Sequence, residues 1–124
     1  IHNNLLRDNQ GDGVSLRGTD NAVVQITNNT IARVGGLSLR INGFQGMTSP
    51  QIVKGNAFIQ PKVNGGTIST NAYIYTENGG ADVEGTGNEA NTKFPTVAAA
   101  GVDVNNFYQP ISGSALLSSG FRKN

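Results

Sequence analysis

Four cations carry the first chemical question. Arg17, Arg40, Lys54 and Arg33 all lie in or beside short β-branched stretches. Arg17 and Arg40 close two nearly identical phrases, GVSLR (13–17) and GLSLR (36–40). Aligned phrase on phrase, they set two outward guanidinium groups about 5 Å apart, the spacing of neighbouring strands. Like charges that close splay into water or share an anion. Arginine grips a carboxylate with two parallel bonds, so an anionic sugar chain along this face is a fitting partner. His2 aligns with Thr27 and Lys54 and so faces outward. A β-elimination on a uronic acid needs a base near the C5 proton and a cation for the developing charge. His2, Arg17, Arg40 and Lys54 are residues of those types, but no complete catalytic set is evident among them.

The acids raise two further possibilities. RDNQGDG (7–13) places Asp8, Gln10 and Asp12 at alternate positions, as a calcium loop would. An EF-hand loop requires Glu at its twelfth position, and counting from Asp8 that place holds Thr19. The stretch is therefore read as a corner leading into a strand at Val14. Calcium at Asp8, Asp12 or Asp20 is the lesser expectation, and no other cofactor is implied. A glycoside hydrolase needs paired carboxylates across the substrate. Residues 26–50 hold no Asp or Glu, which argues against such a pair on adjacent repeats. Tyr73 and Tyr75 are expected on one face of a strand, serving core and edge packing before sugar stacking. No nucleophile elbow, phosphate loop or dinucleotide fingerprint is present.

These side chains need elements to hold them, and the elements repeat. IHNNLL (1–6), ITNNTI (26–31) and VKGNAF (53–58) align with offsets of 25 and 27, and VEGTGNEA (83–90) is a looser fourth copy. A period in this range signals stacked repeats. It is too short for a helical pair, and the dense leucines of a leucine-rich repeat are missing. Within each copy, apolar and polar residues alternate as in a strand with one buried face. Ile1, Ile26 and Val53 fall in one inward row, and Leu6, Ile31 and Phe58 in another.

The paired asparagines then have structural work. Asn tolerates the left-handed backbone of a tight corner. Its side-chain amide both donates and accepts. Asn4, Asn29, Asn56 and Asn88 are expected to stack as a ladder that satisfies the polar groups of the corners.

The I-x-N-N-x-I spacing, the GDGVSL phrase (11–16) and the repeat length resemble the right-handed parallel β-helix superfamily. That group includes pectate and alginate lyases, polygalacturonases, mannuronan epimerases, phage tailspikes and bacterial surface proteins. FYQPISGSALLSSG (107–120) is similar to the closing phrase of secreted members, although Ala115 and Ser118–Ser119 depart from its usual Pro and Asp-Ala. The resemblance implies an all-β, right-handed parallel β-helix, a solenoid of about four coils. It implies an extracellular, cell-surface or virion setting and a polysaccharide partner.

On this reading residues 1–90 form the coils and 91–124 a C-terminal cap, with Phe107, Tyr108, Leu116 and Leu117 covering the exposed core. QPKVNGG (60–66) is a turn, TISTNAYIY (67–75) returns to strand, and FPTVAAAGVDV forms a small helix or loose turn. The chain begins within a repeat, so it reads as the C-terminal piece of something longer, docking on preceding coils or another subunit.

Composition limits the alternatives. Charged residues are 14% of the chain and net charge is +1, which gives no clustered basic surface for nucleic acid. One His and no Cys leave no usual zinc set. No apolar run is long enough for membrane insertion. Two functions follow: scaffold and cap of a polysaccharide-related protein contributing to an anionic-glycan groove, or a non-catalytic structural, adhesive or assembly module.

Overall fold

In the computed structural model the described residues are 1–18, 24–43, 52–77 and 91–118. They are mostly β with little helix. The strands are β1 (Leu5–Arg7), β2 (Val14–Gly18), β3 (Gln25–Thr27), β4 (Thr30–Ala32), β5 (Leu39–Gly43), β6 (Ile52–Lys54), β7 (Ala57–Ile59), β8 (Ile74–Glu77) and β9 (Thr92–Phe94). Helix α1 (Val97–Ala100) follows, then β10 (Val102–Asp103) and β11 (Gln109–Pro110).

The first nine strands make three parallel sheets, ordered β1-β4-β7-β9, β2-β5-β8 and β3-β6, while β10 and β11 pair antiparallel. The chain enters the three parallel sheets in a recurring order. An isolated bridge from His2 to Thr27 adds a further rung beside β3.

The strands are short because corners interrupt them. Asn3, Asn28 and Gly55 take left-handed backbone at one corner (φ 58°, 57° and 68°), and Asp8, Arg33 and Gln60 do so at the next (φ 53°, 51° and 48°). The first of each Asn pair, where there is one, therefore turns the chain, and the second is free for stacking. Between corners the side chains alternate. Leu6, Ile31 and Phe58 form one inward row in register, as do Ile26 and Val53. With Val34, Leu39, Ile41 and Ile74 they make the principal core.

Several expectations change. GVSLR and GLSLR do not align phrase on phrase. Val14 pairs with Leu39, Ser15 with Arg40 and Arg17 with Asn42, an offset of 25. The offset is already set at Leu5–Thr30 and carries through the matched left-handed corner residues Asp8 and Arg33. A two-residue shift keeps Arg17 and Arg40 on the same face but separates them along the strands. The stretch TISTNAYIY is not all strand: residues Thr70–Ala72 form a 3₁₀ turn and only Ile74 onward joins β8. Tyr73 precedes the strand and is buried in the core, whereas Tyr75 stays partly exposed, so the two do not share a face.

The division at residue 90 also moves. β9 adds a fourth strand to the first sheet, pairing Ala57 with Thr92 and Ile59 with Phe94. The segment after it does not simply cover an open core. It packs Ala100, Val102, Tyr108 and Leu116 on Ala32, Ala57 and Ile59, the outward residues of that sheet, with Leu5 and Phe94 at the margin. An apolar outer face requires such a cover. Phe107 and Leu117 remain exposed at 67% and 54%.

Candidate functional site

The sheet β2-β5-β8 has no such cover among the described residues, and its outer face opens into a cleft of about 490 Å³. Asp12, Arg40, Lys62, Asn71, Tyr75 and Glu77 line it. Alternation along β5 and β8 fixes their directions: Leu39 and Ile74 point inward, so Arg40 and Tyr75 point out beside one another.

Arg40 is the hub. Its Nε donates to Asp12 Oδ2 at 2.7 Å, and its Nη1 donates to Glu77 Oε1. Asn42 Nδ2 donates to the other Glu77 oxygen at 2.8 Å. The Leu37 N–H donates to Asp12 Oδ1 at 2.8 Å. That approach depends on Gly36, since a Cβ there would collide with Asp12 Oδ1. The Arg40 guanidinium also lies 5.8 Å from the Tyr75 ring centroid, within cation–π range.

These contacts fix the charge states. Burial pushes the Asp12 carboxyl up, but the Arg40 hydrogen bond, the Leu37 N–H and the Arg40 charge outweigh it and hold it below 3.8. The Asp12 hydrogen bond, opposed by burial and helped by Glu77, raises Arg40 above its ordinary value. Both carboxylates are thus occupied, Asp12 by Arg40 and the Leu37 N–H and Glu77 by Arg40 and Asn42. Lys62 differs: its backbone is left-handed (φ 57°) and its N–H is tied to Gly36 O, but its ammonium forms no ion pair among the described residues.

Of the four cations read from the sequence, Arg40 alone lines this cleft. Arg40 lies in the cleft with its Nε and Nη1 engaged by acids. Arg17 is exposed on β2, in register with Asn42. Lys54 is exposed on β6, one rung from Thr27, which bridges to His2. Arg33 sits at the second corner, 3.4 Å from Asp8. Asp8 also lies 3.7 Å from Arg7 and accepts the Tyr108 hydroxyl through both oxygens, at 3.0 and 3.1 Å. Burial, then the Asp8 hydrogen bond and charge, raise the Tyr108 phenol above 10.0. Asp8 and Asp12, the lesser calcium candidates with Asp20, contact arginines. No cluster of three metal-ligating residues occurs among the described residues, and Asp20 lies outside them.

The asparagines form a continuous column. The Asn4 N–H and Nδ2 both donate to Asn29 Oδ1, at 3.0 and 3.1 Å. Asn29 gives the same pair of bonds to Asn56 Oδ1, both at 3.0 Å. Asn56 gives them to Asn91 Oδ1, at 3.2 and 3.0 Å. Asn88, expected in the fourth place, lies outside the described residues, and Asn91 holds that place.

Sequence reasoning missed Glu77, Lys62 and Asn71. A signal for Glu77 exists: IYTE alternates, and matching Ile74 to Leu39 puts Tyr75 and Glu77 outward. Compared with protein-family models, curated proteins and solved structures, the chain shows no match.

Proposed function

We propose that the stacked parallel strands are a stretch of right-handed parallel β-helix within an extracellular polysaccharide-handling protein, and that the Arg40 cleft holds an acidic glycan without cleaving it. Support for the fold comes from the recurring order of the three sheets, the register kept across the corners between β1 and β2 and between β3 and β4, and the asparagine column. Support for the function rests on one observation: a Lys62 ammonium with no ion pair among the described residues lines the same open cleft as Tyr75. The ammonium meets a sugar carboxylate, the ring offers an apolar face to a pyranose, and Asn71 and Ser69, which also lines the cleft, offer hydrogen bonds to its hydroxyls.

Binding is favoured over catalysis by the state of the acids. A general base works best with a pKa near the operating pH. Asp12 is held far below it and is already bonded to Arg40 and Leu37. Calorimetric titration with oligogalacturonate, and with a neutral malto-oligosaccharide of equal length, tests the reading. The acidic oligomer is expected to bind more tightly, to weaken with salt, and to lose about tenfold in affinity in Lys62→Gln, as for a charge-assisted hydrogen bond. Equal binding of both oligomers, or no effect of Lys62→Gln, rejects it.

A structural or adhesive role is the second reading. The Asp12–Arg40–Glu77 bridge favours it, because it ties together groups from three successive repeats and is complete without a ligand. Arg40→Gln separates the readings: a purely structural bridge loses stability, with no acidic-glycan binding to lose.

A further inference from the structure

A second, smaller pocket of about 230 Å³ lies elsewhere, lined by Asn3, Asn4, Leu5, Thr30, Phe107, Tyr108 and Gln109. It shares no lining residue with the Arg40 cleft. From its chemistry we propose that this pocket binds a single neutral pyranose ring, stacked on Phe107.

Three observations carry this. First, Phe107 and Tyr108 both take left-handed backbone, with φ of 49° and 55°. That conformation is costly for bulky residues and persists only where the surroundings enforce it. Tyr108 has compensation, being 2% exposed and bonded to Asp8. Phe107 is held by the turn bonds around it, Tyr108 N–H to Asp103 O and Gln109 N–H to Asn106 O, but its side chain is 67% exposed. An aromatic held in that state gains nothing from burial but is presented to a ligand. Second, the polar lining is amide and hydroxyl, with no acid or base. Asn4 Nδ2 is committed to Asn29 and to His2 O, but no described residue donates to Asn4 Oδ1. Gln109 adds a further side-chain amide to the lining residues. Third, the volume lies below the roughly 300–1,000 Å³ of sites for drug-sized ligands, which points to one ring rather than a chain.

An apolar ring face ringed by uncharged amides complements the C–H face and hydroxyls of a neutral sugar. A uronate would bring a carboxylate with no cation in the lining to receive it. The proposal stands on this geometry alone and does not rest on the Arg40 cleft.

Saturation-transfer NMR on the full chain tests it, using the methyl glycosides of glucose, galactose and mannose, with glucuronate as the charged control. At least one neutral glycoside is expected to receive saturation at its ring C–H protons, unchanged by high salt. Phe107→Ala should weaken it about tenfold, the scale of one aromatic contact, and Phe107→Trp should retain it. Both variants should fold, since the side chain is exposed, and circular dichroism checks this. No transfer to any neutral glycoside overturns the proposal, as does neutral transfer that survives Phe107→Ala, or glucuronate transfer that is lost in Phe107→Ala but kept in Lys62→Gln.

Discussion

The sheets β1-β4-β7-β9 and β2-β5-β8 belong to the same repeat and share one core, yet their outer faces diverge. On the first, outward positions hold Ala32, Ala57, Ile59 and Phe94, and residues 97–116 lie over them. On the second, outward positions hold Ser15, Arg17, Arg40, Asn42, Tyr75 and Glu77, and a cleft opens there. Inward residues are interchangeable between the two: Ile31 and Phe58 do for one what Leu39 and Ile41 do for the other. The inner face therefore builds the stack, and the outer face decides whether a side becomes scaffold or site.

The contrast breaks most visibly at Ile59. It points outward yet is fully buried, so Ile59→Ala should cost about 2–5 kcal/mol, as for a core residue. Denaturant unfolding measures this, and a loss under about 1 kcal/mol would show that the outer cover contributes little. A smaller, pH-dependent effect belongs to the open sheet. Asp12 is held below its unfolded value of 3.8, so its ion pair stabilises the fold above that pH. The contribution is lost as pH falls through the folded pKa. Wild type should exceed Asp12→Asn in stability near neutrality, and the gap should close as pH falls through the lowered folded pKa of Asp12. A gap that stays constant with pH would assign Asp12 a packing role instead. The smallest effect is expected at Arg17. It is exposed and in register with Asn42 rather than an arginine, so Arg17→Ala should change stability by no more than about 0.5 kcal/mol. A stabilisation well above that would restore the idea of two repelling arginines.

Much of the first sheet was legible. The offsets of 25 and 27 between Asn4, Asn29 and Asn56 match the observed register, because corner asparagines are constrained by backbone and by stacking together. The fourth place was obscured for a physical reason. In the first three copies an apolar residue stands two positions after the Asn: Leu6, Ile31 and Phe58. After Asn91 that position holds Lys93, so the copy loses its apolar marker. The GVSLR phrase misled in the opposite way. Its likeness to GLSLR is real, but register is set by hydrogen-bonded corners and not by the nearest similar letters. The outer cover had a signal too: TIA and AFI are buried at every residue, and such runs lack the alternation of a one-sided strand. The cleft was the least legible part. Arg40 was visible, but its acids come from Asp12 and Glu77, 28 and 37 residues away in sequence.

The asparagine column also has an electrical sense. From Asn4 to Asn91 every inter-amide bond runs in one direction, each carbonyl receiving from the residue before it. Aligned amides polarise one another, so their dipoles add along the stack as peptide dipoles do along a helix. The negative pole falls at Asn4 Oδ1. The flank thus carries a built-in field along the stacking axis, and a hydroxyl or N–H donor approaching Asn4 meets the summed pull of the column, not that of one amide.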